Sequence, residues 1–170
     1  MMNSSAFLSE SRHRVDRSFM RIHHALSQLS LDDLWWRPHV HMNSIGHLIL
    51  HLEGNLTQWI IDPLSRQTNH RERKEEFKAS NSLTVQEAMQ LTNNLHEKVK
   101  KALGTFPSKD LNSGLNVQAK KTNYLSAIYA SITHLEGHVG QIIYITHQRK
   151  GADYQLFDHY GLNEQLGDYS

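Results

Sequence analysis

The sequence His134-Leu135-Glu136-Gly137-His138 places two imidazoles four residues apart. On an α-helix those positions are neighbours on one face, so both rings can reach the same ion. Leu135, Val139 and Ile142 flank them, which points the pair into or along an apolar interior. Buried imidazole nitrogens without partners cost roughly 1–3 kcal/mol each, so a metal or a set of hydrogen bonds must answer for them. A second pair at the same spacing, His47 and His51, lies earlier in the chain. His51 sits in Leu50-His51-Leu52, the most apolar part of its segment, and His47 is on the same side one turn before it. Three imidazoles with an open fourth position make a catalytic zinc-type site, where bound water is acidified or a substrate atom polarised; a structural site would be closed by a fourth protein ligand. The competing reading is that these are hydrogen-bonded core or surface histidines, because one HxxxH among 13 histidines arises readily by chance. His47 as an addition to His51 stays open at this point.

Other chemistries are excluded by inventory or spacing. A zinc protease needs its general base directly after the first histidine, whereas Glu136 lies two residues on, roughly 200° around the helix. The two Glu-x-x-His motifs needed to bridge two irons are not present together, and there is no nucleophile elbow, phosphate loop or dinucleotide fingerprint. With no cysteine, thiolate zinc sites, disulfides and cysteine nucleophiles are absent, and any metal is held by nitrogen or oxygen. Lys and Arg number 18 against 17 acids, a formal charge of +1, which gives no drive toward nucleic acid or an anionic membrane. The clusters Arg71-Arg73-Lys74, Lys98-Lys100-Lys101 and Lys120-Lys121 read as solvated surface, and Trp35, Trp36 and Trp59 as core rather than pocket wall.

The elements that must position these residues follow from apolar periodicity. A chain of 170 residues, 38% hydrophobic and 21% charged, is expected to form a single domain over 1–170. Four helices are predicted, hence an all-α, four-helix bundle. The first runs from about Ser5 to Leu29 and leads through a capped turn at Ser30-Leu31-Asp32-Asp33. The second starts at Asn43 or Ser44, good N-cap residues, and reaches Pro63. Residues 65–82 read as an exposed connection with an extra turn of helix. Thr84 and Glu87 form a capping box for the third helix, whose stripe ends at Leu103. The segment from Gly104 to Lys121 reads as loop, and the fourth helix runs from Thr122 or Asn123 to Lys150, closing at Gly151. Nothing alternates with period two for long enough to predict a sheet. The first residues lack the apolar core of a signal peptide, and no stretch approaches the roughly 20 apolar residues that span a bilayer, so a cytoplasmic protein with no membrane or nucleic-acid partner is expected. Gly46, Gly54, Gly137 and Gly140 each cost a helix roughly 1 kcal/mol against alanine and want a reason, such as close helix approach around a metal or at a dimer interface.

Two blocks together, Asn43-Ser44-Ile45-Gly46-His47-Leu48-Ile49-Leu50-His51-Leu52-Glu53-Gly54-Asn55 and His134-Leu135-Glu136-Gly137-His138-Val139-Gly140-Gln141-Ile142-Ile143-Tyr144, resemble the DinB/YfiT-like metalloenzyme family. The resemblance covers nearly the whole chain, including the order of the helices and the Trp-Arg-Pro approach to the second. It implies an up-down-down-up bundle, usually a homodimer, with a divalent zinc or nickel ion held by His51, His134 and His138. Characterised members of that family are transferases using bacillithiol or mycothiol and a thiol-dependent isomerase. The resemblance thus implies a small-molecule substrate, a low-molecular-weight thiol as partner, and an S-transferase or hydrolase activity. It transfers no catalytic residue beyond the metal ligands. A non-catalytic metal- or ligand-binding dimer, and a helical interaction protein without metal, are the two alternatives from other classes.

Overall fold

Local capping chemistry sets where the helices begin. The computed structural model describes residues 4–68, 71 and 82–155. Helix α1 spans Ser4–Leu26. Ser30 then caps the short α2, Leu31–Trp35, with Asp33 closing a capping box. Ser44 caps α3, Ile45–Leu56, in a second box whose N3 residue is His47 in place of the usual Glu or Gln. Thr84 and Glu87 form the predicted box at the start of α4, Val85–Thr105. Asn123 caps α5, Tyr124–Lys150, by accepting from the Ser126 N–H.

Helices α1, α3, α4 and α5 form the bundle, with α1 and α3 each packing against both α4 and α5. Contacts along their lengths fix the directions. Asp16 and His23 of α1 meet His96 and Thr92 of α4, so those two run antiparallel. Arg14 meets Glu136, and His24 reaches Gln155 beyond the end of α5, so α1 and α5 are parallel. His51 meets His134 while Trp59 shares a cavity with Ala130, which makes α3 and α5 antiparallel. The order is up-down-down-up, a four-helix bundle. Two consecutive helices pointing the same way require the chain to travel back between them, which is why a long connection separates α3 from α4. The extra helical turn expected between Ser65 and Ser82 falls largely outside the described residues. The core between the helices is fully apolar at its centre, with Val15, Phe19, Ile22, Ile49, Leu56 and Val99 at 0% exposure.

Two local features depart from the sequence reading. After Leu56 the helix widens into a π turn, Thr57–Ile61, before a last turn, Asp62–Leu64. Pro63 lacks the N–H that would bond the Trp59 carbonyl and its ring would crowd that carbonyl, so a regular α register cannot run through it. The stretch read as loop contains a hairpin, β1 Gly114–Val117 and β2 Lys120–Asn123, antiparallel with Val117 opposite Lys120. Strands of four residues are too short to leave a period-two signature. No helix among the described residues is long and apolar enough to cross a membrane.

Candidate metal centre

Helices α3 and α5 bring together the three histidines singled out from sequence. His51 Nε2 lies 2.9 Å from His134 Nε2, which lies 3.1 Å from His138 Nε2. One ring nitrogen from each histidine falls within 4.8 Å of the others, and the three could hold a metal ion. Two imidazole nitrogens bound to one zinc at about 2.0–2.1 Å are about 2.9 Å apart at a right angle and about 3.3 Å apart at the tetrahedral angle. The observed separations sit within that span, toward its close end. No fourth His, Asp or Glu joins the cluster among the described residues. His51 is buried at 5% exposure, and the rings of His134 and His138 stand nearly perpendicular, 4.3 Å between centroids.

The hydrogen-bond partners test whether a cation fits. Gln141 Oε1 lies 2.7 Å from His138 Nδ1 and accepts its proton, leaving His138 Nε2 as a lone pair. Arg71 Nη2 lies 3.1 Å from His51 Nδ1; a guanidinium only donates, so the neutral His51 ring carries its proton on Nε2. His134 Nε2 meets both neighbours. Unprotonated, it accepts from His51 but faces the lone pair of His138; protonated, it donates to His138 but faces the proton of His51. No neutral assignment satisfies both contacts. Positive charge at the shared point removes the conflict, and a metal ion does so while engaging all three nitrogens. Coordination through His51 Nε2 moves that ring's proton to Nδ1, where the Arg71 donor must give way. The Gln141 contact already has the form of an outer-shell partner that fixes the tautomer of a ligating histidine.

A cavity of about 330 Å³ opens beside His51 and His134, lined also by Asn55, Trp59, Arg71, Gln118, Lys120, Ala130 and Ser131. Gln58, buried on the π turn, ties its walls together: its Oε1 accepts from Arg71 Nη1 at 3.1 Å and from Gln118 Nε2 at 2.6 Å. Asn55 Oδ1 is buried without a partner among the described residues.

His47 is not part of the cluster. Its Nδ1 accepts from the Ser44 N–H at 3.2 Å and lies 2.6 Å from Ser44 Oγ, and its ring stands edge-on to Trp35. It closes a helix cap. Glu136 turns away to Arg14 on α1, as the spacing argument required. Another histidine pair, His23 and His96, joins α1 to α4 through Thr92 and Asp16. Burial pushes the His23 pKa down, and His96 adds to it.

Two residues sit where the sequence reading did not put them: Trp59 lines the cavity instead of the core, and Arg71 is half-buried in its wall instead of lying on solvated surface, while Lys120 borders the cavity from the exposed surface that was expected for it. Asn55 and Trp59 follow His51 at four-residue steps, a signal present in the sequence. Arg71 and Lys120 carry none, because the long connection and the hairpin bring them over the bundle from far along the chain.

Comparison with known proteins agrees with this architecture. A DinB-like protein from Bacillus cereus ATCC 10987 superposes with a TM-score of 0.64 at 13% identity, over 82% of this chain and 91% of that one. A conserved protein from Enterococcus faecalis gives 0.68 at 15% identity, over 82% and 94%. Likeness at that identity shows the fold. Among curated proteins there is no match. The family model described as a protein of unknown function (DUF1572) matches residues 2–158, and so the chain belongs to this DinB-like family.

Proposed function

We propose that this protein is a metal-dependent enzyme acting on small molecules, an S-transferase that uses a low-molecular-weight thiol. One observation carries the reading: three imidazole nitrogens converge at the wall of a cavity with no fourth protein ligand among the described residues. A closed structural site would need that fourth ligand; an open one is placed to meet a substrate atom. A divalent ion bound there, zinc or nickel, would supply Lewis acidity and favour the thiolate form of a bound thiol near neutral pH. Within the chain, His51, His134 and His138 hold the ion, Gln141 orients His138, and Trp59 with Asn55 shapes the adjoining space. The absence of cysteine from the sequence is consistent with a nucleophile brought by a cosubstrate.

The proposal includes a homodimer. On the outward side of α5, Tyr129 and Tyr144 are 63% and 64% exposed, and among the described residues nothing beyond the local helix backbone lies within 4 Å of where a side chain on Gly137 or Gly140 would begin. These four positions lie within about 80° of each other around the helix, a face on which a second helix could approach closely.

Elemental analysis of protein prepared without an affinity tag tests the metal. One divalent ion per chain is expected, with at least a tenfold loss in the His138→Ala variant. The metal-loaded protein is then expected to accelerate conjugation of a thiol to at least one member of a broad electrophile panel. Stoichiometric metal with no acceleration against the whole panel would favour a storage or sensing role instead.

A further inference from the structure

We propose that Asn55 selects the small molecule that enters the histidine cavity, by accepting a hydrogen bond from an uncharged N–H or O–H group on it. This deepens the function proposed above by naming a recognition group of the substrate, and it rests on that reading only for the claim that the bound molecule reacts. Asn55 lines the cavity, and its Oδ1 is fully buried with no hydrogen-bond partner among the described residues. It is the one buried side-chain oxygen or nitrogen among those residues left in that state. Native folds pair such atoms almost without exception, so an orphaned acceptor facing a cavity calls for a use.

Placement ties this acceptor to the histidine cluster. Asn55 follows His51 by four residues on α3, and Ser131 precedes His134 by three on α5. Because the two helices run antiparallel, both residues lie on the same side of the histidines, about 4.5–6 Å away along the helix axes. Ser131 lines the same cavity at 3% exposure, and its Oγ donates its proton to the Ala127 carbonyl at 2.8 Å. That hydroxyl has only lone pairs left to offer. Two neutral acceptors, one from each ligand helix, therefore border one space, and they suit a neutral donor such as a primary amide or a hydroxyl. Trp59, one turn beyond Asn55 and on the π turn, adds an aromatic wall against which the rest of the molecule can pack. A donor bound at this level sits about one helical turn from the histidine nitrogens, so the same molecule can present its reacting atom to the cluster.

Two pairs of isosteric probes test this, benzamide against acetophenone and benzyl alcohol against ethylbenzene, which differ only by an NH2 or OH in place of a CH3. Dissociation constants are read by NMR from the Trp59 indole resonance of the zinc-loaded protein. Benzamide and acetophenone carry the same carbonyl, so any coordination of it to zinc cancels in their comparison. The donor-bearing member of each pair is expected to bind at least about fivefold more tightly. In Asn55→Leu, of similar size but without an acceptor, the gap is expected to close to within about twofold, with metal content unchanged. Asn55→Ala, a smaller side chain and a better helix former, should close it as well and serves where the leucine variant does not fold. Equal affinities within each pair, a preference that survives the loss of Asn55, or no binding of any probe would overturn the proposal. The same titration on metal-free protein separates the two readings. An Asn55-dependent preference without stoichiometric metal would sink the metalloenzyme and leave the donor site, whereas stoichiometric metal with equal affinities would do the reverse.

Discussion

Single residues decide how close the ligand helix can come to its neighbours, and Gly46 is the sharpest case. A Cβ built there would lie 2.9 Å from the Trp35 ring. That ring is fixed, because its Nε1 donates to the Leu83 carbonyl at 2.9 Å and its face meets His47. Gly46→Ala is therefore expected to lower stability in urea unfolding by about 1–3 kcal/mol, the range for overpacking a well-filled contact, although alanine is the better helix former. An increase in stability would show that the indole yields. From the sequence alone Gly46, Gly137 and Gly140 look alike, and close approach around a metal was one common explanation for them. The structure separates them: Gly46 makes room for a tryptophan, while Gly137 and Gly140 open outward. His47 and His51 likewise could not be told apart by spacing. What distinguishes them is Ser44, whose capping geometry claims the His47 ring. A cap with His at its third position is not the pattern the eye looks for.

At the scale of elements, Asp33 joins two that are far apart in sequence. Its carboxylate closes the box at the start of α2 and also receives Arg149 Nε at 2.7 Å and Lys150 Nζ at 3.5 Å from the end of α5. Burial alone would raise its pKa; the Ser30 backbone N–H, Arg149 and the Ser30 hydroxyl outweigh that and hold it at about 2, against an ordinary 3.8. A carboxylate whose folded-state pKa is depressed stabilises the fold above the unfolded value, and that stability is lost as pH falls from 3.8 toward about 2. The difference corresponds to roughly 2 kcal/mol. Asp33→Asn should lose about that much near neutral pH and should flatten the decline of stability across the acid window, as read by denaturant titrations at successive pH values. An acid limb unchanged by the substitution would place the loss elsewhere. Elements with a strong local signal, such as the boxes at Ser30 and Thr84 and the Asn123 cap, were legible because a few adjacent residues determine them. The π turn and the hairpin were not. Pro63 announces a disturbance without specifying its form, and the turn at Gln118 and Ala119 is held by a tertiary contact to Gln58 that no local rule contains.

Over the whole molecule, the histidine cluster is a cross-link between halves of the chain. His51 and His134 are 83 residues apart and meet only because α3 and α5 lie antiparallel in the finished bundle. Bundle architecture and the identity of the three histidines could be reached from periodicity and family resemblance. The cavity could not, since its walls come from α3, the long connection, the hairpin and α5. A site assembled from distant segments scarcely exists in the unfolded chain, so metal binding is linked to folding. A ligand at about 100 times its Kd adds roughly 2.7 kcal/mol to stability, if the unfolded chain does not bind it. For a domain of this size each kcal/mol moves Tm by about 2–4 °C, which gives an expected rise of about 5–10 °C on loading. A chelator should reverse it, and His138→Ala should show no response to either. Acidification should mimic the chelator, because imidazole nitrogens must be unprotonated to coordinate. The opposite result has a definite meaning as well. A Tm indifferent to metal and chelator would say that the three rings satisfy one another through an added proton, and the conflict at His134 Nε2 would then be resolved by protonation and not by coordination.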